Sequence, residues 1–280
     1  MKIAVIGNCQ ARPLANLLQS VDGIECLEPI ILHLARPEER AEHCARLDQA
    51  DVVVAQWNAP QFPVPHLRVA ELQAARPDSL VIWPNVFFIG QTPYLRYATH
   101  AQKGRICSPL TEYHDLWTLR DWFRARRGVD FAAEIETPDF APALAAASLD
   151  TLVRRERECT VGVGDLIAEH WQSRPLFFTF NHPRHWLLAR LAERILDRIG
   201  RTARIETDGL REPLSRIQPP GARPGDAGDL QGVEVDLSVP GRVGYGQVQG
   251  YAPEDLRAAS FACYDHQADL LDPPAMRLTP

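Results

Sequence analysis

The sequence predicts an α/β protein: a parallel sheet flanked by helices, with a helical insertion in the middle and an irregular C-terminal region. Two apolar, β-branched runs, residues 51–55 (DVVVA) and 79–83 (SLVIW), are typical of strands buried on both faces. Helical patterns separate such runs, and this alternation favours a parallel sheet covered by helices. A chain of 280 residues is long enough for one large domain, or for a domain with an appendage.

The first half of the chain supplies the predicted sheet. Strands are predicted over residues 2–6, 24–27, 51–55 and 79–83, with helices over 13–20, 38–49 and 64–75. The first helix shows its buried face in the spacing of Leu14, Leu17 and Leu18. Ligands of such sheets bind at the carboxyl ends of the strands, so we expect the functional residues in the loops that follow them.

The second half is predicted to be mainly helical. Helices are predicted over 110–127, 141–157, 164–171, 184–199 and 253–271, with one strand over 175–180 that we expect to join the sheet. Proline and glycine predict a loop over about 213–250. We therefore expect an α/β catalytic domain over 1–210, including a helical region at about 109–171. Residues 211–280 are then a loop-rich segment and a C-terminal helix that pack on the same domain.

Composition excludes several classes of protein. Hydrophobic residues make up 45% and charged residues 24%, as in ordinary globular proteins. A net charge of −6 argues against a general nucleic-acid binder, which needs an excess of basic residues. The apolar run in the N-terminus MKIAVIGNCQ is shorter than the hydrophobic region of a signal peptide. No later run of apolar residues reaches the length of a membrane span. We therefore expect a cytoplasmic protein without a transmembrane segment; its oligomeric state is not predicted.

The six cysteines are scattered and include no CxxC pair, so neither a disulfide framework nor a zinc site is predicted. We expect no metal. Most of these cysteines have the character of small buried apolar residues. Cys9 is the exception, because of its position in the chain.

The turn Gly7-Asn8-Cys9-Gln10 follows the first strand and precedes the first helix. The positive end of a helix dipole stabilises a thiolate, which favours Cys9 as a nucleophile. Gly7 permits a tight turn or a close ligand, and the amides of Asn8 and Gln10 can donate to an oxyanion. Alternatively, Cys9 is a small filler and Asn8 a helix cap. The turn lacks the three glycines of a dinucleotide fingerprint, which disfavours NAD.

A second candidate motif is Asn181-His182-Pro183, between an apolar run and a long helix. The rigid proline gives His182 a fixed direction, as a general base requires; the alternative is a histidine without chemistry. If the strand over 175–180 runs parallel to the first strand, its carboxyl end brings Asn181 and His182 to the edge that carries Cys9. We therefore expect His182 and Cys9 to face one another across one pocket.

Amide side chains also follow the other predicted strands. Asn85 follows the strand over 79–83, and Gln56 and Asn58 follow the strand over 51–55. Three strand ends that each finish in amides are more than packing alone requires. Asn85 is predicted to donate to an oxyanion, with a simple turn residue as the alternative.

These motifs together resemble the WcbI-type polysaccharide biosynthesis family. The resemblance rests on IGNCQ, on the strand that ends in WPN and on FTFNHP before a long helix, and it covers roughly residues 1–200. It implies capsular polysaccharide acetylation, with coenzyme A or acetyl-coenzyme A as co-substrate and a saccharide acceptor. Arg12 and Arg184 are then expected to bind the phosphates of coenzyme A. Residues 90–94 (GQTPY) lack the histidine of the family's Gly-Tyr-His-Pro-type stretch, so its role is not carried over.

The turn after the first strand also resembles, more loosely, that of SGNH hydrolases and acyltransferases, which implies an SGNH- or flavodoxin-like core. Those enzymes have a serine at the position of Cys9 and a C-terminal Asp-x-x-His, whereas Asp265 and His266 are adjacent here. The predicted function is coenzyme A-dependent O-acyl (acetyl) transfer to a sugar of a capsular or surface polysaccharide or its precursor. The alternatives are a thiol-dependent SGNH-like esterase or deacylase, and a non-catalytic glycan- or nucleotide-binding module.

Overall fold

The structure, a computed structural model, describes residues 1–106, 108, 113–210, 212, 214 and 253–279. Nearly all of the loop predicted over 213–250 lies outside these residues. The chain forms two compact units that alternate along the sequence. The first unit contains residues 1–88, 148–176 and 181–214; the second contains 89–147, 177–180 and the described residues after 214. The predicted division at residue 210 stays a prediction.

The first unit is built on a parallel sheet, as predicted. Its strands are β1 (Lys2–Gly7), β2 (Glu25–Cys26), β3 (Ile30–Ile31), β4 (Val52–Gln56) and β5 (Leu80–Trp83). β1 pairs with β4 on one side and with the short β2 and β3 on the other, and β4 pairs with β5; every pairing is parallel. The carboxyl ends of β1, β4 and β5 therefore lie along one edge of the sheet.

Helices surround this sheet. They are α1 (Ala11–Gln19), α2 (Arg40–Asp48), α3 (Val69–Ala75), α6 (Gly164–His170) and α7 (His185–Arg198), with short 3-10 helices at Pro37–Glu39 and Pro65–Leu67. α1 packs against α7, and both helices bury a leucine-rich face that includes Leu14, Leu18, Leu187 and Leu191. None of the helices in the described parts of the chain is both long and apolar enough to cross a lipid bilayer.

The open side of β5 is covered by the segment before α6. The N–H of Ile82 donates to Oγ1 of Thr160 at 2.9 Å, and the carbonyl of Ile82 accepts from the N–H groups of Thr160 and Val161. The carboxylate of Glu156 accepts the backbone N–H of Val163 at 2.7 Å and holds this segment in place. Backbone groups at the sheet edge are thus paired without a further strand.

The second unit contains an antiparallel sheet, whereas the sequence predicted mainly helices here. Its strands are β6 (Leu95–His100), β7 (Gly104–Ile106), β8 (Tyr113–Asp115) and β11 (Met276–Thr279), and its helices include α4 (Leu116–Arg127), α5 (Phe140–Glu156, which continues into the first unit) and α8 (Pro253–His266), with a 3-10 helix at Ala133–Glu136. The core of this unit includes Ala98, Ile106, Trp122 and Tyr264. These strands have three to six residues and carry polar side chains, so their periodicity is weak.

A buried polar group links the sheet and helices of this unit. Nε2 of His114 lies 2.9 Å from the carbonyl of Ile106, which can only accept, so Nδ1 of His114 accepts from the hydroxyl of Tyr264 at 3.1 Å. Asp115 caps α4 by accepting from the backbone N–H and the hydroxyl of Thr118. Burial raises the pKa of Asp115 to about 7.

The strand predicted over 175–180 was placed wrongly. β9 (Phe177–Thr179) belongs to the second unit and not to the parallel sheet. The backbone N–H of Phe177 donates to the side chain of Gln91, at 3.0 Å, and not to a strand of that sheet. The next element is the short β10 (His182–Pro183), which precedes α7 in the first unit.

Candidate active site

Three amide side chains meet at the carboxyl edge of the parallel sheet. Asn8 follows β1, Gln56 ends β4 and Asn85 follows β5. The backbone N–H of Asn8 donates to Oε1 of Gln56 at 2.9 Å, and Nδ2 of Asn8 donates to Oδ1 of Asn85 at 3.1 Å. The amides that follow three predicted strands thus contact one another at this edge. Asn58 lies apart from this group, since its Nδ2 donates to the carbonyl of Leu67.

Gln10 connects this edge to the second predicted motif. It is fully buried, and its Nε2 donates to the carbonyls of Val86 and Asn181, both at 2.8 Å. Its Oε1 accepts the backbone N–H of Val86 at 3.2 Å. Both amide hydrogens are used inside the protein, so the geometry gives Gln10 a bridging role where an oxyanion donor was predicted. This bridge holds Asn181, and with it the start of the segment that carries His182, against the Gly7–Gln10 turn.

Cys9 lies in the turn between β1 and α1, and it is partly exposed. Asn8 shapes this turn: its Oδ1 accepts the N–H of Gln10 at 2.9 Å, and its carbonyl accepts the N–H of Ala11 at 3.0 Å. The alternative prediction that Asn8 caps the helix is wrong, because Gln10 is the N-cap of α1; the hydrogen bond of Asn8 forms an Asx turn before the helix. Cys9 is placed beside the first turn of α1, where the helix dipole favours negative charge.

Two other cysteines are in surroundings that disfavour a thiolate. Burial raises the pKa of Cys26 to about 11 and that of Cys159 to about 12. The carboxylate of Glu156 adds to the shift of Cys159. These thiols are inert at neutral pH, which fits the prediction that they are small core or filler residues.

Gly7 has a steric reason to be a glycine. A Cβ at this position would lie 2.6 Å from Cζ2 of Trp83, which is fully buried at the end of β5. The indole ring thus occupies the space beside Gly7 that was predicted to serve a tight turn or a close ligand. Gly7 shapes the candidate site by letting Trp83 pack against β1.

Substitution of Gly7 by alanine is expected to destabilise the protein by about 1–3 kcal/mol, the usual cost of overpacking a core. Denaturant unfolding of Gly7→Ala and of the double variant Gly7→Ala/Trp83→Phe checks the cause. Phenylalanine lacks the outer six-membered ring of the indole, which is the part that clashes with the added methyl group. Gly7→Ala should therefore lower the free energy of unfolding by less in the Trp83→Phe background. An equal cost in both backgrounds would show that Trp83 is not the reason.

The side-chain amide of Asn85 has hydrogens that no protein acceptor in the described residues uses. Its side chain is partly exposed, and its Oδ1 is fixed towards Nδ2 of Asn8. Its own Nδ2 therefore points the other way, and within the described residues this nitrogen donates to no protein acceptor. Nδ2 of Asn8 uses one of its two hydrogens for Asn85. The edge beside Cys9 thus has amide hydrogens available for an acceptor oxygen.

The basic residues expected to bind phosphate are placed differently from one another. Arg12 lies on α1 with its side chain 62% exposed, and its Nη2 donates to Oε1 of Glu28 at 2.9 Å. Arg184 precedes α7, and its backbone N–H donates to the carbonyl of Leu176. A phosphate-binding role for either arginine stays a prediction.

In the described residues no three His, Cys, Asp or Glu side chains are grouped so as to hold a metal ion.

Comparison with known proteins gives two matches. A family model described as polysaccharide biosynthesis enzyme WcbI matches residues 2–204. A solved structure of WcbI, described as a novel polysaccharide biosynthesis enzyme in its native form without a disulfide bond between coenzyme A and a cysteine, is similar to the chain with a TM-score of 0.64. The two share 20% sequence identity over 96% of this chain and 94% of that one, a likeness that shows the fold. No curated protein matches the chain.

Proposed function

Because the chain belongs to the WcbI family of polysaccharide biosynthesis enzymes, we propose that it is an O-acyltransferase that uses coenzyme A. It transfers an acyl group, most simply acetyl, to a hydroxyl of a capsular or surface polysaccharide or of its precursor. The WcbI structure is described in terms of coenzyme A and a cysteine, which supports coenzyme A as the donor here and Cys9 as the thiol concerned.

The observation that carries this proposal is the open amide donor beside Cys9. Nδ2 of Asn85, with the second hydrogen of Nδ2 of Asn8, can bind the carbonyl oxygen of an acyl group and the oxyanion that forms from it. The amides are held in place by hydrogen bonds before the ligand arrives, so they need little reorganisation during the reaction. This donor set fits a thioester, whose carbonyl is an acceptor only.

Cys9 and His182 carry the proposed chemistry. The thiol of Cys9 gives up its proton and its sulfur attacks the acyl carbonyl; the bond from the carbonyl carbon to the sulfur of coenzyme A breaks, coenzyme A takes up the proton and leaves as its thiol, and the acyl group remains on Cys9 as a thioester. His182 then removes the proton of the sugar hydroxyl, which attacks the thioester and releases the sulfur of Cys9. In the alternative route His182 activates the hydroxyl for direct attack on the donor, while Asn8 and Cys9 line the site. We favour the covalent route because exchange of an acyl group between two thiols is nearly isoenergetic.

A ligand-stability screen tests the donor. Coenzyme A at 100 times its Kd is expected to stabilise the folded protein by about 2.7 kcal/mol, which raises the melting temperature by a few degrees. Acetyl-coenzyme A should act likewise, and NAD should have no effect. A shift with NAD and none with either form of coenzyme A would rule out the proposed donor. Mass analysis of saccharides incubated with acetyl-coenzyme A then separates transfer to sugar from transfer to water.

A further inference from the structure

The amide groups at the carboxyl edge have fixed orientations. A backbone N–H can only donate, so the atom that it meets must be the amide oxygen. The N–H of Asn8 meets Oε1 of Gln56, the N–H of Gln10 meets Oδ1 of Asn8, and the N–H of Val86 meets Oε1 of Gln10. Three backbone donors therefore determine which end of each side-chain amide is the oxygen.

Hydrogen bonds between the side-chain amides connect the orientation of Gln56 to that of Asn85. Nε2 of Gln56 faces Oδ1 of Asn8 at 3.4 Å and Oε1 of Gln10 at 3.3 Å. Asn8 therefore keeps its Nδ2 for Oδ1 of Asn85, and the amide nitrogen of Asn85 is the end left for a ligand. A reversed Asn8 would bring its Nδ2 against the Nε2 of Gln56 and would reverse Asn85 as well.

We propose that Gln56 is a positioning residue that acts with the backbone N–H of Gln10 to hold the polarity of Asn8 and Asn85, so that the site recognises the acyl carbonyl oxygen of a thioester through donors alone. This inference rests on the proposed function and specifies which ligand atom the site selects. Gln56 touches no ligand in this scheme, because it is buried beneath Asn8 with 2% of its surface exposed. A residue that only filled space there would leave the N–H of Asn8 without its acceptor.

The substitution Gln56→Glu tests the polarity. Glutamate keeps the shape of Gln56, but its carboxylate has no hydrogen for Oδ1 of Asn8 or Oε1 of Gln10. When protonated, the carboxylic acid has one donor and one acceptor and so restores the pattern of the amide. The polarity should therefore be lost at high pH and recovered at low pH, whereas loss of packing would not depend on pH in this way.

The measurement is the ratio of the affinities for acetyl-coenzyme A and coenzyme A, taken in a Cys9→Ala background so that no acyl transfer occurs. Coenzyme A lacks the acyl carbonyl and is the internal reference. At about pH 8.5 Gln56→Glu should lower the ratio about tenfold, the value of one hydrogen bond at the upper end of the usual range, and at about pH 5.5 the ratio should return to that of the background. Gln73→Glu, the same change on the exposed face of α3, should leave the ratio unchanged at both pH values.

The outcomes separate the two proposals. A folded Gln56→Glu protein with an unchanged ratio at high pH overturns the positioning role while the donor stands. Failure of the Cys9→Ala protein itself to bind either form of coenzyme A overturns the donor and the carbonyl assignment together. If Gln56→Glu does not fold, Asn85→Asp replaces the amide donor at the partly exposed end of the chain of hydrogen bonds. It should lower the same ratio about tenfold, and an unchanged ratio refutes donor recognition.

Discussion

Replacement of Cys9 by alanine is expected to lower acyl transfer by a factor of about a thousand or more, with little change in the free energy of unfolding. The loss should be large because Cys9 accepts the acyl group in the proposed route, and a methyl group cannot. The fold should tolerate the change because Cys9 is partly exposed in a turn. Turnover of acetyl-coenzyme A with an acceptor saccharide, together with denaturant unfolding, measures both effects.

Two other partly buried cysteines of the same chain provide the matched controls. Cys26→Ala and Cys159→Ala should cost stability and leave turnover unchanged, since their thiols are held in the neutral form by burial. Cys9→Ser is a finer probe, because a hydroxyl at that position is far less ionised than a thiol. Full turnover by the Cys9→Ala protein would eliminate the covalent route and leave direct attack assisted by His182.

Substitution of Asp115 by asparagine is expected to stabilise the protein by up to roughly 4 kcal/mol at pH 8, the equivalent of a pKa raised by about three. Burial raises the pKa of Asp115 from 3.8 to about 7, so the folded state binds its proton more tightly than the unfolded state. The contribution of this group to stability is therefore highest below about pH 4, falls as the pH rises to 7, and is constant above that. Asparagine cannot ionise, and it keeps an oxygen for the N–H of Thr118.

Denaturant unfolding between pH 4 and pH 8 checks this prediction. The two proteins should be about equally stable near pH 4 and should diverge as the pH rises. Asp78→Asn changes an exposed aspartate in the same way and should not alter the pH dependence. If the free energy of unfolding of the Asp115→Asn protein falls with pH as steeply as that of the wild type, groups other than Asp115 cause the pH dependence.

The sequence predicted the parallel sheet and the meeting of amides at its edge because both follow from local signals. The strand over residues 52–56 begins with three consecutive valines, and parallel strands necessarily bring their carboxyl ends together. The antiparallel sheet was missed because strands such as Tyr113–Asp115 are too short and polar to show a period.

Individual roles within the site were harder to predict because they depend on partners distant in the chain. Gln10 has the composition of an oxyanion donor, and only its contacts with Val86 and Asn181 show that its hydrogens are already used. The steric demand on Gly7 comes from Trp83 and is likewise invisible locally. Asn181 lies at the turn because its carbonyl accepts from Gln10, and not because a strand of the parallel sheet carries it there. The predicted proximity of Asn181 to the turn is therefore present for a different reason.

The packing of α1 against α7 has a consequence for synthesis on the ribosome. The apolar face of α1 emerges early, whereas its partner emerges only after residues 20–184 have been translated. Segments of both units lie in this interval, so the nascent chain cannot complete its first unit before it has started the second. Leu14 and Leu18 therefore remain exposed to cellular chaperones for most of translation, and a ribosome-stalled chain that ends before α7 is expected to be protease-sensitive.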